Sequence, residues 1–147
     1  MSGEAAERFV VVSLWLLAAS FAVVGILFIA TPDGVLNVID DVGDWFGGFS
    51  TAPDTDEKFW LALGFAYMVV ITGICVVVAT DVVRFRPLLL VLAAGKAASS
   101  LGSLAFFVFD QDVFIYLLNF VVDGSLVVVA LLLYSIAGRV GAHAAPS

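Results

Sequence analysis

Apolar residues fill four long runs of this chain, and charged or turn-forming residues separate the runs. Each run has close to the roughly 20 residues that a membrane-spanning helix needs. The four runs cover residues 9–30, 59–79, 88–109 and 113–136. The pattern therefore predicts an all-α protein, a four-transmembrane-helix bundle that forms a single integral membrane domain over residues 1–147.

The connection after the first run carries a different periodicity. Thr31 and Pro32 match an N-cap followed by proline at the first helical position. Apolar residues then recur at helical spacing, with aspartates mostly between them. This predicts a short amphipathic helix over about residues 32–46, lying on the outer surface with Trp45 and Phe46 at headgroup depth. Such a helix would pack as a lid on the bundle or gate a cavity beneath it.

Basic residues are shared unevenly between the two ends of the predicted helices. One end carries Arg8, Arg84, Arg86 and Arg139, whereas the other carries Lys58 alone. Lys and Arg are enriched in the cytoplasmic segments of membrane proteins. The distribution predicts a multi-pass protein of the cell membrane with both termini in the cytoplasm.

Composition supports a lipid environment. Hydrophobic residues make up 63% of the chain, against roughly 45–50% in soluble domains, and the mean hydropathy is +1.15. The net charge is −7, which gives no basic footprint for nucleic acid. We therefore expect the lipid bilayer as partner and no nucleic acid.

The residues that usually hold metals or cofactors are scarce. Cys75 is the single cysteine and His143 the single histidine, so a disulfide, an iron–sulfur cluster or a thiolate zinc site cannot form within the chain. We expect no cofactor and no metal. The sequence also lacks a recognisable nucleophile–base arrangement or phosphate loop, so an enzyme is not expected.

Two charged residues interrupt the third and fourth runs. Lys96 lies roughly 12 Å from the inner end of its run and Asp123 roughly 15 Å from the outer end of its own, at about 1.5 Å per residue. Both come near the middle of a hydrocarbon core about 30 Å thick. A charged side chain is energetically unfavourable there and usually pairs with an opposite charge or lines a water-filled cavity. Since a short turn makes the two helices neighbours, we predict a contact between Lys96 and Asp123.

Further polar residues lie at helical spacing from these two charges, after Lys96 in the third run and before Asp123 in the fourth. Together they predict an intramembrane polar cluster of Lys96, Ser99, Ser100, Tyr116, Asn119 and Asp123. One interpretation is an ion pair that holds the last two spans in register. Another is a cavity whose polar groups bind a ligand headgroup or relay a proton. A third is that one of the charges snorkels to the membrane interface.

Small residues line two faces of the third run. They recur every four residues, as Gly95-Ser99-Ser103 and as Ala94-Ala98-Gly102. Because small residues let helix backbones approach closely, we predict that both faces pack centrally in the bundle rather than against another copy. We interpret the tryptophans and tyrosines, Tyr67 among them, as interface-belt and packing residues.

The layout resembles that of the DoxX-like small membrane proteins, which have four helices, a long outer first connection and termini inside. The local similarity is the segment Phe-Ile-Ala-Thr-Pro at 28–32 and the glycine of Leu63-Gly64 in the second run. That family includes subunits associated with quinone-linked oxidoreductases, and the resemblance implies such an association. It carries over no quinone-binding or catalytic residue. The Lys96/Asp123 pair departs from the family layout.

Three classes of function fit these features. The predicted one is a non-catalytic accessory or structural subunit of a larger membrane complex, docking on other subunits or on a second copy. An alternative is a membrane protein that binds a small hydrophobic ligand or lipid in a polar-lined cavity. The third is a proton- or ion-coupled transport component, which would have to oligomerise because one copy has little room for inverted repeats.

Overall fold

In the described part of the chain, five helices follow one another without a regular strand. The computed structural model describes residues 2–52 and 58–144, with side chains as far as Val140. The helices are α1 (Gly3–Ala30), α2 (Pro32–Asp44), α3 (Lys58–Thr80), α4 (Leu88–Phe109) and α5 (Phe114–Ala144). All except α2 are long and apolar enough to cross a membrane. The predicted all-α bundle of four spans with a short helix in the first connection is confirmed.

The helix bounds differ from the predicted ones mainly at the two chain ends. Helix α1 begins at Gly3 rather than at residue 9, because Ser2 Oγ accepts a hydrogen bond from the Ala5 amide at 3.4 Å and Glu4 lies in the first turn. Helix α5 continues to Ala144 rather than ending at residue 136. An apolar run identifies only the part of a helix that is suited to lipid, so the prediction misses more polar turns that extend the helix at either end.

The extension of α5 packs against the connection between α3 and α4. The Arg86 guanidinium lies 3.9 Å from the centre of the Tyr134 ring. Gly138 leaves room for it, since a Cβ there would come within 2.6 Å of Arg86 Nη1. The Arg86 Nε is buried and has no hydrogen-bond partner within the described residues. These contacts support helical structure beyond the apolar run.

The four long helices associate as two pairs. Helix α1 packs mainly on α3 and α4 mainly on α5, while α1 and α5 join the pairs. Gly25 of α1 is needed for the first pairing, because a Cβ there would lie 2.8 Å from Met68 Cβ. Helix α4 touches α3 only lightly.

One face of α4 does not pack as predicted. Ala94 and Ala98 are exposed, and a Cβ added to Gly102 would meet nothing within 4 Å. Only the other face, Gly95-Ser99-Ser103, packs against neighbouring helices, so the prediction of central packing is wrong for Ala94-Ala98-Gly102. The reason is that α4 has extensive contacts with one neighbour, α5, and leaves its opposite side uncovered.

The hydrophobic core is concentrated toward one end of the bundle. We call this the terminal end; it holds the start of α1, the α3–α4 connection and the end of α5. Its core residues are Val10, Leu14, Ala18, Phe21, Ile71, Cys75, Val78, Val82, Leu89, Leu92, Ala93, Ala130, Leu133 and Ala137. We call the opposite end the loop-helix end, because α2 lies across it.

Helix α2 is attached to the loop-helix end by close packing on α5. Gly43 is buried, and a Cβ there would lie 2.8 Å from Phe114 Cβ. The Phe46 ring stacks on Phe114 with centroids 5.8 Å apart, and the Phe49 ring lies 5.0 Å from it. The return loop is held as well, since Ser50 Oγ donates to Asp112 Oδ1 at 2.7 Å. The lid interpretation of α2 agrees with these contacts.

Thr31 precedes α2 as predicted but does not cap it with its side chain. The Thr31 hydroxyl instead donates to the Leu27 carbonyl in the last turn of α1 at 3.2 Å. Pro32 stands at the start of α2, where a missing backbone N–H costs nothing. Trp45 and Phe46 follow the last residue of α2 and are 82% and 73% exposed.

Candidate functional site

The predicted contact between the two intramembrane charges is present. Lys96 Nζ lies 2.9 Å from Asp123 Oδ1, and the two side chains are 3% and 5% exposed. Lys96 projects from the middle of α4 and Asp123 from α5. Because both charges are removed from water, each depends on the other for its stabilisation.

All four long helices meet at this salt bridge. Besides Asp123, the Lys96 ammonium faces the Phe21 ring of α1, 4.8 Å from its centre, and the Tyr67 ring of α3 at 5.4 Å. Cation–π attraction toward these rings adds to the ion pair. The Tyr67 hydroxyl is buried and lacks a hydrogen-bond partner among the described residues. Tyr67 therefore belongs to the site and is not an interface-belt residue.

The other predicted polar residues join α4 to α5 next to the salt bridge. Asn119 Nδ2 donates to Ser99 Oγ at 3.2 Å and to Ser103 Oγ at 2.7 Å. Ser100 Oγ donates to the Phe120 carbonyl at 2.8 Å. Interhelical hydrogen bonds of this kind contribute to helix association in lipid, where the hydrophobic effect between helices is absent.

Tyr116 lies about one turn of α5 nearer the loop-helix end than Asn119. Its ring contacts the Phe106 ring of α4, with centroids 5.7 Å apart. The Tyr116 side chain is half-buried and lines the same cavity as Lys96 and Asp123. The predicted cluster is thus brought together, with Ser99 and Ser100 tying the helices and Tyr116 beside the cavity.

A cavity of about 640 Å³ extends from the salt bridge toward the loop-helix end. Its wall is mostly apolar, and Val35 and Ile39 of α2 contribute to it. The polar residues in the wall are Ser20, Lys96, Ser103, Tyr116, Asn119 and Asp123. The cavity arises because the core fills the terminal end, whereas α1 and α5 leave space between them beneath α2.

The cavity is not sealed from the surroundings of the bundle. Val24 and Leu27 of α1 line it and are 37% and 47% exposed, and Val122 of α5 lines it and is 45% exposed. These residues belong to apolar, membrane-type helices, so the opening faces the lipid side.

A second, smaller cavity of about 220 Å³ lies beside α2, with Asp40, Asp41 and Asp44 in its wall. Asp40 has a structural partner there, since its Oδ2 accepts a hydrogen bond from the Ala52 amide at 2.9 Å. Across residues 2–52 and 58–140, no group of three or more His, Cys, Asp or Glu side chains is arranged to hold a metal ion.

Sequence reasoning missed the contribution of α1 and α3 to the site. Phe21 lies in the apolar first span, next to Ser20, and as one phenylalanine among many apolar residues it carries no signal that separates it from lipid-facing residues. Tyr67 does carry such a signal, because a phenol hydroxyl in the middle of an apolar span usually needs a polar partner. Its position ten residues into α3 could have suggested a site residue.

This fold and site define a multi-pass helical membrane protein with a mostly apolar cavity between its helices, which also carries a few polar groups. No protein-family model, curated protein or solved structure matches the chain. The DoxX-like resemblance therefore stays a prediction.

Proposed function

We propose that the protein binds a small hydrophobic ligand or lipid in the cavity between α1 and α5. The observation that carries this proposal is the cavity itself, about 640 Å³ of mostly apolar wall with a few convergent polar groups. Small-molecule sites have this composition and volumes of about 300–1,000 Å³.

The position of the polar groups also supports ligand binding. A salt bridge that only holds two helices in register needs no free space next to it, yet Lys96 and Asp123 both line the cavity. Asn119 and Tyr116 line the same wall. A ligand in this space would contact apolar side chains along its body and polar side chains at one end.

The test uses a substitution that fills the cavity. Val122→Trp adds a large side chain to the cavity wall, whereas Val121→Trp adds the same side chain to a residue that is 57% exposed and not part of that wall. The full-length protein is extracted in mild detergent, and native mass spectrometry detects small lipophilic molecules that remain bound. We expect bound molecules on the wild type and on Val121→Trp, and their loss from Val122→Trp.

Equal retention by all three proteins would contradict the proposal, because a molecule bound in the cavity competes with the indole for the same space. The proposal would also be contradicted if none of the three proteins carried a bound molecule and none bound one from added lipid extract.

A second candidate is the accessory or structural subunit. The uncovered face of α4 favours it, where Ala94 and Ala98 are exposed and Gly102 has open space beside it, since small-residue faces support close helix contacts in membranes. In the same mass spectra, a partner chain at fixed stoichiometry would support this role.

A further inference from the structure

The charges in the cavity wall compensate one another. Among the described residues of that wall, Lys96 and Asp123 are the charged ones, and they carry opposite signs. They lie 2.9 Å apart, and both side chains are almost fully buried. The site therefore presents a dipole to a ligand, not a net charge.

A ligand with a charged head would have to break this compensation. A carboxylate or phosphate that binds Lys96 competes with Asp123, and an ammonium that binds Asp123 competes with Lys96. Either leaves one buried charge without its partner, in surroundings where an unpaired charge is strongly unfavourable. The aromatic rings of Phe21 and Tyr67 further hold the Lys96 ammonium in place.

Uncharged hydrogen-bonding groups are available next to the pair. Asn119 uses its amide nitrogen on Ser99 and Ser103, so what it offers beyond these bonds is the carboxamide oxygen, an acceptor. The Tyr116 hydroxyl, on the same wall, can donate and accept. Both match a hydroxyl or a carbonyl group, which needs one or two hydrogen bonds and no counter-ion.

We infer that the ligand is an uncharged amphipath, with a hydroxyl or carbonyl head near Asn119 and Tyr116 and a hydrocarbon body in the apolar part of the cavity. This inference rests on the proposed function and specifies its ligand class. The ligand enters from the bilayer through the lipid-facing opening beside Val24 and Val122.

The test compares four probes with the same hydrocarbon chain: hexadecanol, hexadecane, hexadecanoate and hexadecylammonium. Each is added at equal mole fraction to the full-length protein in detergent, and the thermal midpoint is measured over a titration for the wild type, Val122→Trp and Val121→Trp. We expect the wild type and Val121→Trp to bind hexadecanol at least about tenfold more tightly than any of the other three probes. We expect Val122→Trp to lose this difference.

The outcomes separate the ligand class from the existence of the site. One outcome is that hexadecanoate, hexadecylammonium or hexadecane binds at least as tightly as hexadecanol and that Val122→Trp abolishes this binding. The inference of an uncharged hydroxyl or carbonyl head is then wrong, but the cavity is still a binding site. Responses that are the same in Val122→Trp and Val121→Trp for every probe overturn the proposed function itself.

Two further variants test the named polar groups. Tyr116→Phe and Asn119→Leu should each weaken hexadecanol binding toward the level of hexadecane while leaving the binding of hexadecane unchanged. If both variants keep the full preference for hexadecanol, the head does not lie at Asn119 and Tyr116.

Discussion

Lys96 and Asp123 replace their hydration shells with each other, and the Lys96 ammonium also faces two aromatic rings. The desolvation cost of two ions offsets most of their mutual attraction, so an intact buried pair adds little net stability. The loss of one partner is different, because the remaining charge is then buried without compensation. We therefore expect the pair to act mainly on the specificity with which α4 pairs with α5.

A double-mutant cycle measures this interdependence. We expect Lys96→Met or Asp123→Leu alone to lower the free energy of unfolding by about 3–5 kcal/mol. The double variant should recover most of the loss, so the coupling free energy should be at least as large as one single loss, about 3–5 kcal/mol. The measurement is reversible unfolding in detergent, followed by circular dichroism.

Lys58→Met serves as the control for the loss of a lysine. Lys58 is exposed at the start of α3, so its substitution should change stability little. Additive losses from Lys96→Met and Asp123→Leu would show that the two charges are stabilised separately.

Helix α2 depends on tertiary contacts more than the long helices do. It has 13 residues, and isolated helices of this length are marginal in water. Its attachment rests on the approach of Gly43 to Phe114 and on the stacking of Phe46. The chain then turns away through Gly47 and Gly48, whose φ angles of 71° and 83° suit glycine.

Two glycines of α2 offer a matched comparison. Gly43→Ala would place a methyl group 2.8 Å from Phe114 Cβ, whereas Gly34→Ala would make an ordinary contact of 3.6 Å with Thr31 Cβ. We expect Gly43→Ala to destabilise the docked helix by about 1–3 kcal/mol through overpacking. Gly34→Ala should stabilise the helix by up to about 1 kcal/mol.

Hydrogen–deuterium exchange of the α2 amides checks this comparison. Exchange should become faster in Gly43→Ala and equal or slower in Gly34→Ala. The same change in both variants would mean that the Gly43 contact does not hold α2 on the bundle.

At the scale of the whole molecule, the two ends of the bundle differ in packing. The terminal end holds the core, and the loop-helix end holds the cavity under α2. The basic residues lie mainly at the terminal end, which is the basis for expecting that end in the cytoplasm.

Cysteine labelling in intact cells tests the predicted orientation. Gln111 and Val83 are exposed at opposite ends of α4, and neither carries a charge that the orientation depends on. A membrane-impermeant maleimide should label Gln111→Cys in intact cells and Val83→Cys only after permeabilisation. Cys75 is fully buried and should stay unlabelled. The reverse labelling would invert the orientation, and labelling of both sites in intact cells would contradict the four-span topology.

Several features could be predicted because a local pattern has a single physical cause. Membrane thickness sets the length of a spanning helix, so the four runs located the spans, and α4 has the predicted bounds. The cost of a charge in hydrocarbon made Lys96 and Asp123 stand out among apolar neighbours. Their mid-depth positions on adjacent helices led to the contact now seen.

Other features could not be predicted because lipid and protein are equally apolar. Helical periodicity identified the small residues of α4 but could not tell which of its faces meets a neighbour, and Ala94 and Ala98 are exposed. For the same reason Phe21 was not recognised as part of the site.

The sequence by itself determined the number of spans, the loop helix and the two charges that had to be satisfied inside the membrane, because each follows from the transfer of local segments between water and lipid. Tertiary structure alone decided which helix faces meet, that Phe21 and Tyr67 face Lys96, and that α1 and α5 leave a cavity between them. These depend on how whole helices fit together, and shape complementarity between distant segments leaves no mark on hydrophobic periodicity.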